Sequence, residues 1–409
     1  MDGPKQKPPL DGITVLELGH TVMGPTTGLI LADLGADVVK IEKAPQGDET
    51  RRMKGFGAGF FPYFNRNKRS ICLDLKDRCG REVLDRLLVN ADVLVENFGP
   101  DTIKRLGFGY ERIRRINPRL VFCSLKGFMP GPYETRLSLD EPVQMMGGLA
   151  YMTGPKENPL RAGASVTDIL AGTFGAVGIL AALRERDRTG RGQQVRATLF
   201  EAVAFMMAQH MAVTAVTGEE PPPMPERGRI WAIYDLFPTG DGKQVFLGMT
   251  SEAHWKRFCE VFGFQDLLED SDFTTDAKRL ENRDRLADAL TARFKEMDEK
   301  KILYLAERAV IPFAPVSRPA ELFDDPHLTR AGWLLDTALP GGKRARLPKI
   351  PLAMGEHPQG LYRHPPRLGE GGRDFLMKAG FSSQEVERLV KTGVLIEDPG
   401  LPRSCIKSA

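Results

Sequence analysis

Ile13-Thr-Val-Leu-Glu-Leu-Gly-His-Thr-Val-Met-Gly-Pro-Thr-Thr-Gly-Leu-Ile-Leu-Ala-Asp-Leu-Gly-Ala-Asp-Val-Val-Lys-Ile-Glu42 changes its period twice. Residues 13–18 read as a strand, 26–35 as a helix and 37–42 as a second strand, a βαβ unit. The alternation continues through a helix over 81–90, a strand over 92–97, a helix over 101–116 and a strand over 119–124. Near-continuous apolar strands joined by helices predict an α/β fold, a parallel sheet with helices on both faces. Further along, 194–199 reads as a strand and 201–217 as a Met-rich helix.

The pattern breaks at Gly218-Glu-Glu-Pro-Pro-Pro-Met-Pro-Glu-Arg-Gly228, which neither a helix nor a central strand accommodates. A domain boundary is therefore expected there. Beyond it, 231–238 and 244–248 flank a glycine-containing loop of hairpin length, and Ser251 caps a helix over 254–262. Charged amphipathic helices follow to about residue 308, and Ile311-Pro-Phe-Ala-Pro-Val-Ser317 closes this α+β part. The expected division is a large domain over 1–220, a smaller α+β domain over 221–325, and a proline-rich segment over 326–409 that returns to the large domain.

Length and charge narrow the function. A chain of 409 residues exceeds one ordinary core. Its 57 Lys and Arg against 54 Asp and Glu create no global field toward nucleic acid or anionic membrane. The start has no apolar signal core, and the longest apolar run, 169–183, stops at Arg184-Glu-Arg186, so it reads as a buried helix. Cys72, Cys79, Cys123, Cys259 and Cys405 show no C-x-x-C pair and no ligand-spaced histidine, the pattern of reduced structural thiols in a cytoplasmic protein without a metal site.

Several residues bear on chemistry. Asp168 ends the approach Arg161-Ala-Gly-Ala-Ser-Val-Thr-Asp168 and opens a long apolar helix, as an N-cap or a nucleophilic carboxylate would. Gly19-His-Thr-Val-Met-Gly-Pro25 places backbone N–H groups at a helix start on the carboxyl edge of the sheet, where phosphate binds. Glu42 stands where a dinucleotide fold keeps its ribose-binding acid, which admits a nicotinamide-dependent enzyme, although G-x-G-x-x-G is missing. Lys43 and Asn65-Arg-Asn-Lys-Arg69 favour extra phosphates, or else a solvated charged face. His20 and Cys123 read as structural, and Met145, Met146, Met206, Met207 and Met211 as adaptable core filling.

Taken in order, Leu10-Asp-Gly-Ile-Thr-Val-Leu-Glu-Leu18, Leu31-Ala-Asp-Leu-Gly-Ala-Asp-Val-Val-Lys-Ile-Glu42, Asn65-Arg-Asn-Lys-Arg-Ser70, Val95-Glu-Asn-Phe-Gly-Pro100, Arg105-Leu-Gly-Phe108, Lys126-Gly-Phe128, Asp168 in its loop and Arg188-Thr-Gly-Arg-Gly-Gln193 form one set. The chain resembles, over about 10–355, the class III CoA-transferases, the group with formyl-CoA and carnitine CoA-transferases and α-methylacyl-CoA racemase. The resemblance implies a Rossmann-like large domain, a small domain, and two chains threaded as interlocked rings.

It also implies that Asp168 attacks a donor thioester and carries CoA as an aspartyl thioester. The helix N-terminus would keep Asp168 ionised, and Gly147 and Gly148 are candidates for an oxyanion-binding loop or a plain turn. Asp140 matches a position often acidic near the thioester, or else a loop cap. For CoA the resemblance implies Val22, Met23, Lys43, Leu73, Leu75, Lys76, Asn97, Phe98, Gly99 and Arg105, basic residues on phosphates and apolar ones on adenine and pantetheine. Leu139 departs from racemases, which place a proton-transferring His there.

The expectation is thus a CoA-transferase acting on an acyl-CoA, with succinyl-CoA a reasonable donor, and on a small carboxylic acid. No tightly bound cofactor is expected, coenzyme A being substrate. The chain would work as a homodimer or beside a homologous subunit, without nucleic acid or membrane. An α-methylacyl-CoA racemase-like isomerase and a non-catalytic subunit of a hetero-oligomer are the alternatives.

Overall fold

The computed structural model describes residues 7–397; the first six residues and Cys405 lie outside them. Contacts divide the chain into two units. One is Met1–Glu226 with Arg330–Ala409, the other Arg227–Thr329. The cuts fall at 226/227 and 329/330, against the 220/221 and 325/326 expected from the prolines.

In the first unit β1 (Thr14–Leu18), α1 (Met23–Asp33), β2 (Asp37–Lys43), α2 (Phe60–Phe64), β3 (Lys68–Leu73), α3 (Arg78–Asn90) and β4 (Val93–Glu96) follow one another. Then come α4 (Thr102–Arg105), α5 (Tyr110–Ile116), β5 (Val121–Lys126), α6 (Asp140–Met146), α7 (Leu149–Thr153), α8 (Val166–Thr189), β6 (Gln194–Thr198) and α9 (Leu199–Thr217). The helix expected over 101–116 is two helices, because Gly107 at φ 89° ends the first with a left-handed turn.

Strands β1 to β6 are parallel, in the order β3-β2-β1-β4-β5-β6. Alternation along each strand sends neighbours to opposite faces. Val15, Val38, Val93 and Val121 meet Leu31, Ala171 and Ile179 on one side. Leu16, Val39, Leu94 and Phe122 meet Leu84, Leu87 and Leu88 on the other. Connections leave β1 toward β2 and leave β4 toward β5, so the carboxyl ends of β1 and β4 bound the crevice where such sheets bind ligands.

β3 corrects the reading of the basic run. Arg66, Asn67 and Lys68 are buried, so the run is neither a solvated face nor a phosphate cluster. Arg66 pairs with Asp33 at 2.7 Å, and Lys68 Nζ lies 2.6 Å from Glu17 Oε2. Charged residues tolerate a buried parallel strand here because neighbouring elements supply the counter-charges.

The second unit pairs β7 (Tyr234–Pro238) with β8 (Gln244–Gly248) and β8 with β9 (Phe313–Pro315), all antiparallel. They pack on a core that includes Trp255, Phe258, Phe262, Phe273 and Phe294. Ser251 caps α10 (Glu252–Phe262) by accepting from His254 N–H. Back in the first unit, β10 (Leu334–Ala338) and β11 (Arg344–Pro348) form a hairpin. The chain then reaches the sheet edge: Asn67 and Ser70 N–H donate to Arg363 and Glu370 carbonyls, and β12 (Leu395–Ile396) pairs antiparallel with β3.

The run 169–183 is helical, as expected, but only half enclosed. α8 packs on α1, β5 and β6 while Val177 and Phe174 stay exposed, and α9 buries little beyond Leu199, Ala202 and Val203. Both helices are long and apolar enough to cross a membrane. Met145, Met146 and Met211 are exposed, which corrects their reading as core filling. Cys72, Cys79, Cys123 and Cys259 are free thiols. Burial pushes the Cys123 thiol far up, as befits a small core residue.

Candidate active site

Asp168 is the third residue of α8, not its cap. Ser165 holds the cap position and makes no side-chain cap bond. The cap arrives from α6: Asp140 Oδ2 accepts from Thr167 N–H at 2.9 Å, Thr167 Oγ1 at 2.5 Å and Asp168 N–H at 3.2 Å. Asp140 Oδ1 accepts from Gln144 Nε2 at 2.6 Å, and Gln144 Oε1 accepts from Ala162 N–H at 2.9 Å. One buried carboxylate thereby ties α6, the approach loop and the first turn of α8 together.

With the free N–H groups taken by Asp140, the Asp168 side chain accepts no hydrogen bond among the described residues. Burial first, and the like charge of Asp140 second, push its carboxyl up to about 7. This corrects the expectation that the helix terminus keeps Asp168 ionised: the favourable end of α8 serves Asp140 instead.

The height of Asp168 above the sheet is set by glycines in α8. A Cβ on Gly172 would stand 2.6 Å from Met23 O, and one on Gly175 2.8 Å from Leu125 Cδ2. Thr27 Oγ1 donates to Gly172 O at 2.7 Å, so a side chain of α1 is bonded directly to the backbone of α8 at this close approach.

At the carboxyl edge, the β1 and β4 loops are joined. Asn97 Oδ1 accepts from His20 N–H at 2.8 Å and its Nδ2 donates to His20 O at 3.0 Å. His20 also stacks on Phe98, 6.1 Å between centroids. Beneath, buried Lys40 donates to Gly19 O at 2.5 Å and pairs with Glu17 at 3.2 Å and Asp48 at 2.9 Å. The strand order brings Lys43, Leu75, Lys76, Asn97, Phe98 and Gly99 to this same edge, with exposed Arg105 on the following helix.

Val22, Met23 and Leu73 differ: their side chains lie in the core, so the expectation that they meet adenine or pantetheine fails for the side chains. Glu42 is likewise spent. Its carboxylate takes Arg51 at 2.6 and 2.7 Å, Ser70 Oγ at 2.5 Å and Asp48 N–H at 2.9 Å, which removes it as a ribose acceptor and with it the argument for a nicotinamide enzyme. Sequence reading missed Arg51 and Lys40, since their partners lie on other elements.

The family model for CoA-transferase family III matches residues 10–371. The chain belongs to this family. It is 31% identical to the succinate–glutarate CoA-transferase of Agrobacterium fabrum, covering 90% of this chain and 95% of that protein. It is 33% identical to the succinyl-CoA:mesaconate CoA-transferase of Haloarcula hispanica, covering 91% and 96%. Among solved structures it resembles a CaiB/BaiF family protein from Brucella suis, TM-score 0.84 at 31% identity, covering 91% of this chain and all of that one.

Membership in the CoA-transferase family III directs attention to the glycines after α6. Gly147 N–H donates to Val143 O at 2.9 Å, and a Cβ there would stand 2.1 Å from Val203 Cγ1. Its amide is therefore a helix end and not a free oxyanion donor, which corrects that assignment. Gly148, at φ 83°, makes no hydrogen bond through its N–H among the described residues. Leu139, apolar and exposed, precedes α6 and supplies no proton acceptor.

Proposed function

We propose that this chain transfers CoA from an acyl-CoA to a carboxylic acid, with Asp168 as the covalent carrier. The observation that carries the reading is the Asp168 carboxylate, fixed in the first turn of α8 yet unengaged by any hydrogen bond among the described residues, in a chain of this family. An Asp168 oxygen attacks the donor thioester carbon, the C–S bond breaks, and a mixed anhydride and CoA thiolate result. The thiolate then attacks the Asp168 carbonyl, releasing the donor acid and leaving an aspartyl-CoA thioester. The acceptor carboxylate reverses both steps. No water enters, so the thioester's energy is kept.

In this reading Gly148 N–H is the remaining candidate for the developing oxyanion. Lys43, Lys76 and Arg105 meet the phosphates of CoA, while Leu75 and Asn97-Phe98-Gly99 line its path over the β1–β4 crevice. Succinyl-CoA is the proposed donor, supported by the names of the two relatives. No tightly bound cofactor takes part, and the protein acts in the cytoplasm as a homodimer of interlocked chains.

The test is to incubate the protein with succinyl-CoA and a panel of carboxylic acids, trap with hydroxylamine or borohydride, and locate the modification by mass. Modification at Asp168 is expected. Asp168→Ala should lower transfer by at least about 10³-fold, as loss of a covalent nucleophile does; transfer at the wild-type rate would sink the mechanism.

A further inference from the structure

We propose that Asp140 is a positioning residue, its carboxylate holding the first turn of α8 so that Asp168 is released from capping and left for covalent chemistry beside a like charge. The proposal rests on the reading of Asp168 as the nucleophile and adds the device that prepares it. Three donors converge on Asp140 Oδ2, two of them the Thr167 and Asp168 backbone N–H groups. Those are the groups that an aspartate in a first turn would otherwise compete for. Gln144, fully buried, holds the other oxygen and carries the restraint to Ala162.

The arrangement separates two duties that one acid cannot perform together. A carboxylate whose lone pairs are taken by N–H donors has fewer to offer a carbonyl carbon. Asp140 Oδ2 accepts those donors, and Asp168 keeps its lone pairs for the thioester carbon.

Charges on the other elements packed against α8 are occupied elsewhere. Asp33 of α1 pairs with Arg66, Lys126 of β5 with Glu96, Arg196 of β6 with Glu134, and Glu141 of α6 with Arg161. In α9, Glu201 bonds Thr198, and His210 lies against Gln209. Arg184 to Arg188, at the far end of α8 itself, stand more than three turns away along its axis. Among the described residues, Asp140 is the charge that acts on the Asp168 carboxyl, after burial itself.

The experiment follows the rate of aspartyl-CoA formation from succinyl-CoA against pH in the wild type, Asp140→Asn and Asp168→Ala. The wild type should lose rate below an acid limb near pH 7. Asp140→Asn keeps an acceptor for the helix end but removes the charge, so its limb should move down by about one unit. At pH 6 the rate, relative to its own plateau, should then rise several-fold over the wild type. A limb in the ordinary carboxylate range in the wild type overturns the proposal without any variant. So does an Asp140→Asn enzyme that is slower at every pH with its limb unmoved, which is what a purely structural role predicts. Adduct formation undiminished in Asp168→Ala would instead overturn the nucleophile assignment, so the two failures are distinguishable.

Discussion

An acid that the fold prefers neutral weakens the fold whenever it is charged, and Asp168 is such an acid. Its carboxyl titrates near 7 in the folded chain against about 3.8 in an unfolded one. Between those values the folded state holds the proton that the unfolded state has released, so stability falls as pH rises through this window and levels off above 7. Asp168→Asn has no such loss. The variant should match the wild type in denaturant midpoint near pH 4 and exceed it by about 1–3 kcal/mol at pH 8, discounted for the exposed part of the side chain; equal midpoints at pH 8 would contradict the titration. Asp168 was legible as a helix-opening acid from its neighbours in sequence. Its ionisation was not, because the residue that takes the helix end, Asp140, lies 28 positions upstream and on another helix. Gly147 went wrong for the same reason: its amide is claimed by Val143 O and its α-carbon by Val203, neither visible in a glycine pair.

Between elements, the contact that positions the candidate nucleophile is the seat of α8 on α1. Gly172→Ala would place a methyl 2.6 Å from Met23 O and 2.8 Å from Thr26 Cβ, backbone and a β-branched side chain that cannot swing aside. The expected outcome is a loss of about 1–3 kcal/mol in urea unfolding, with a drop in transfer rate that outlasts saturation by acyl-CoA because the first turn of α8 shifts with the helix. Unchanged stability would mean that α8 sits further from α1 than described. The strands of this layer were readable wherever they were Val, Leu and Ile. β3 escaped because Lys68 and Arg69 open it, and a charged strand end resembles a loop until the partners are seen. Lys68 is neutralised by Glu17 on β1, and Arg69 by Asp37 at the start of β2. Cross-strand pairing is a property of the assembled sheet and leaves no local period to read.

For the molecule as a whole, one apolar surface without a partner among the described residues is that of α9 beyond its first turn. Phe205, Met211 and Val216 are 65%, 64% and 86% exposed, and Phe174 of α8 joins Phe205 at 5.3 Å between centroids. An apolar face of this kind on an isolated chain marks a place another surface covers. A bilayer is a poor occupant, since α8 is packed on β5 and β6 and the first turn of α9 on the same layer, so neither helix can leave for lipid without dismantling the sheet's cover. In the interlocked dimer proposed above a second copy would cover it, and dilution could not part the two copies without unfolding. Sedimentation from micromolar to nanomolar protein should therefore give one species of twice the 45.3 kDa chain mass at every concentration. Phe205→Glu with Val216→Glu should yield little soluble dimer and no well-folded monomer. A folded, active monomer at nanomolar concentration would show that the α9 face is covered by something other than a second chain.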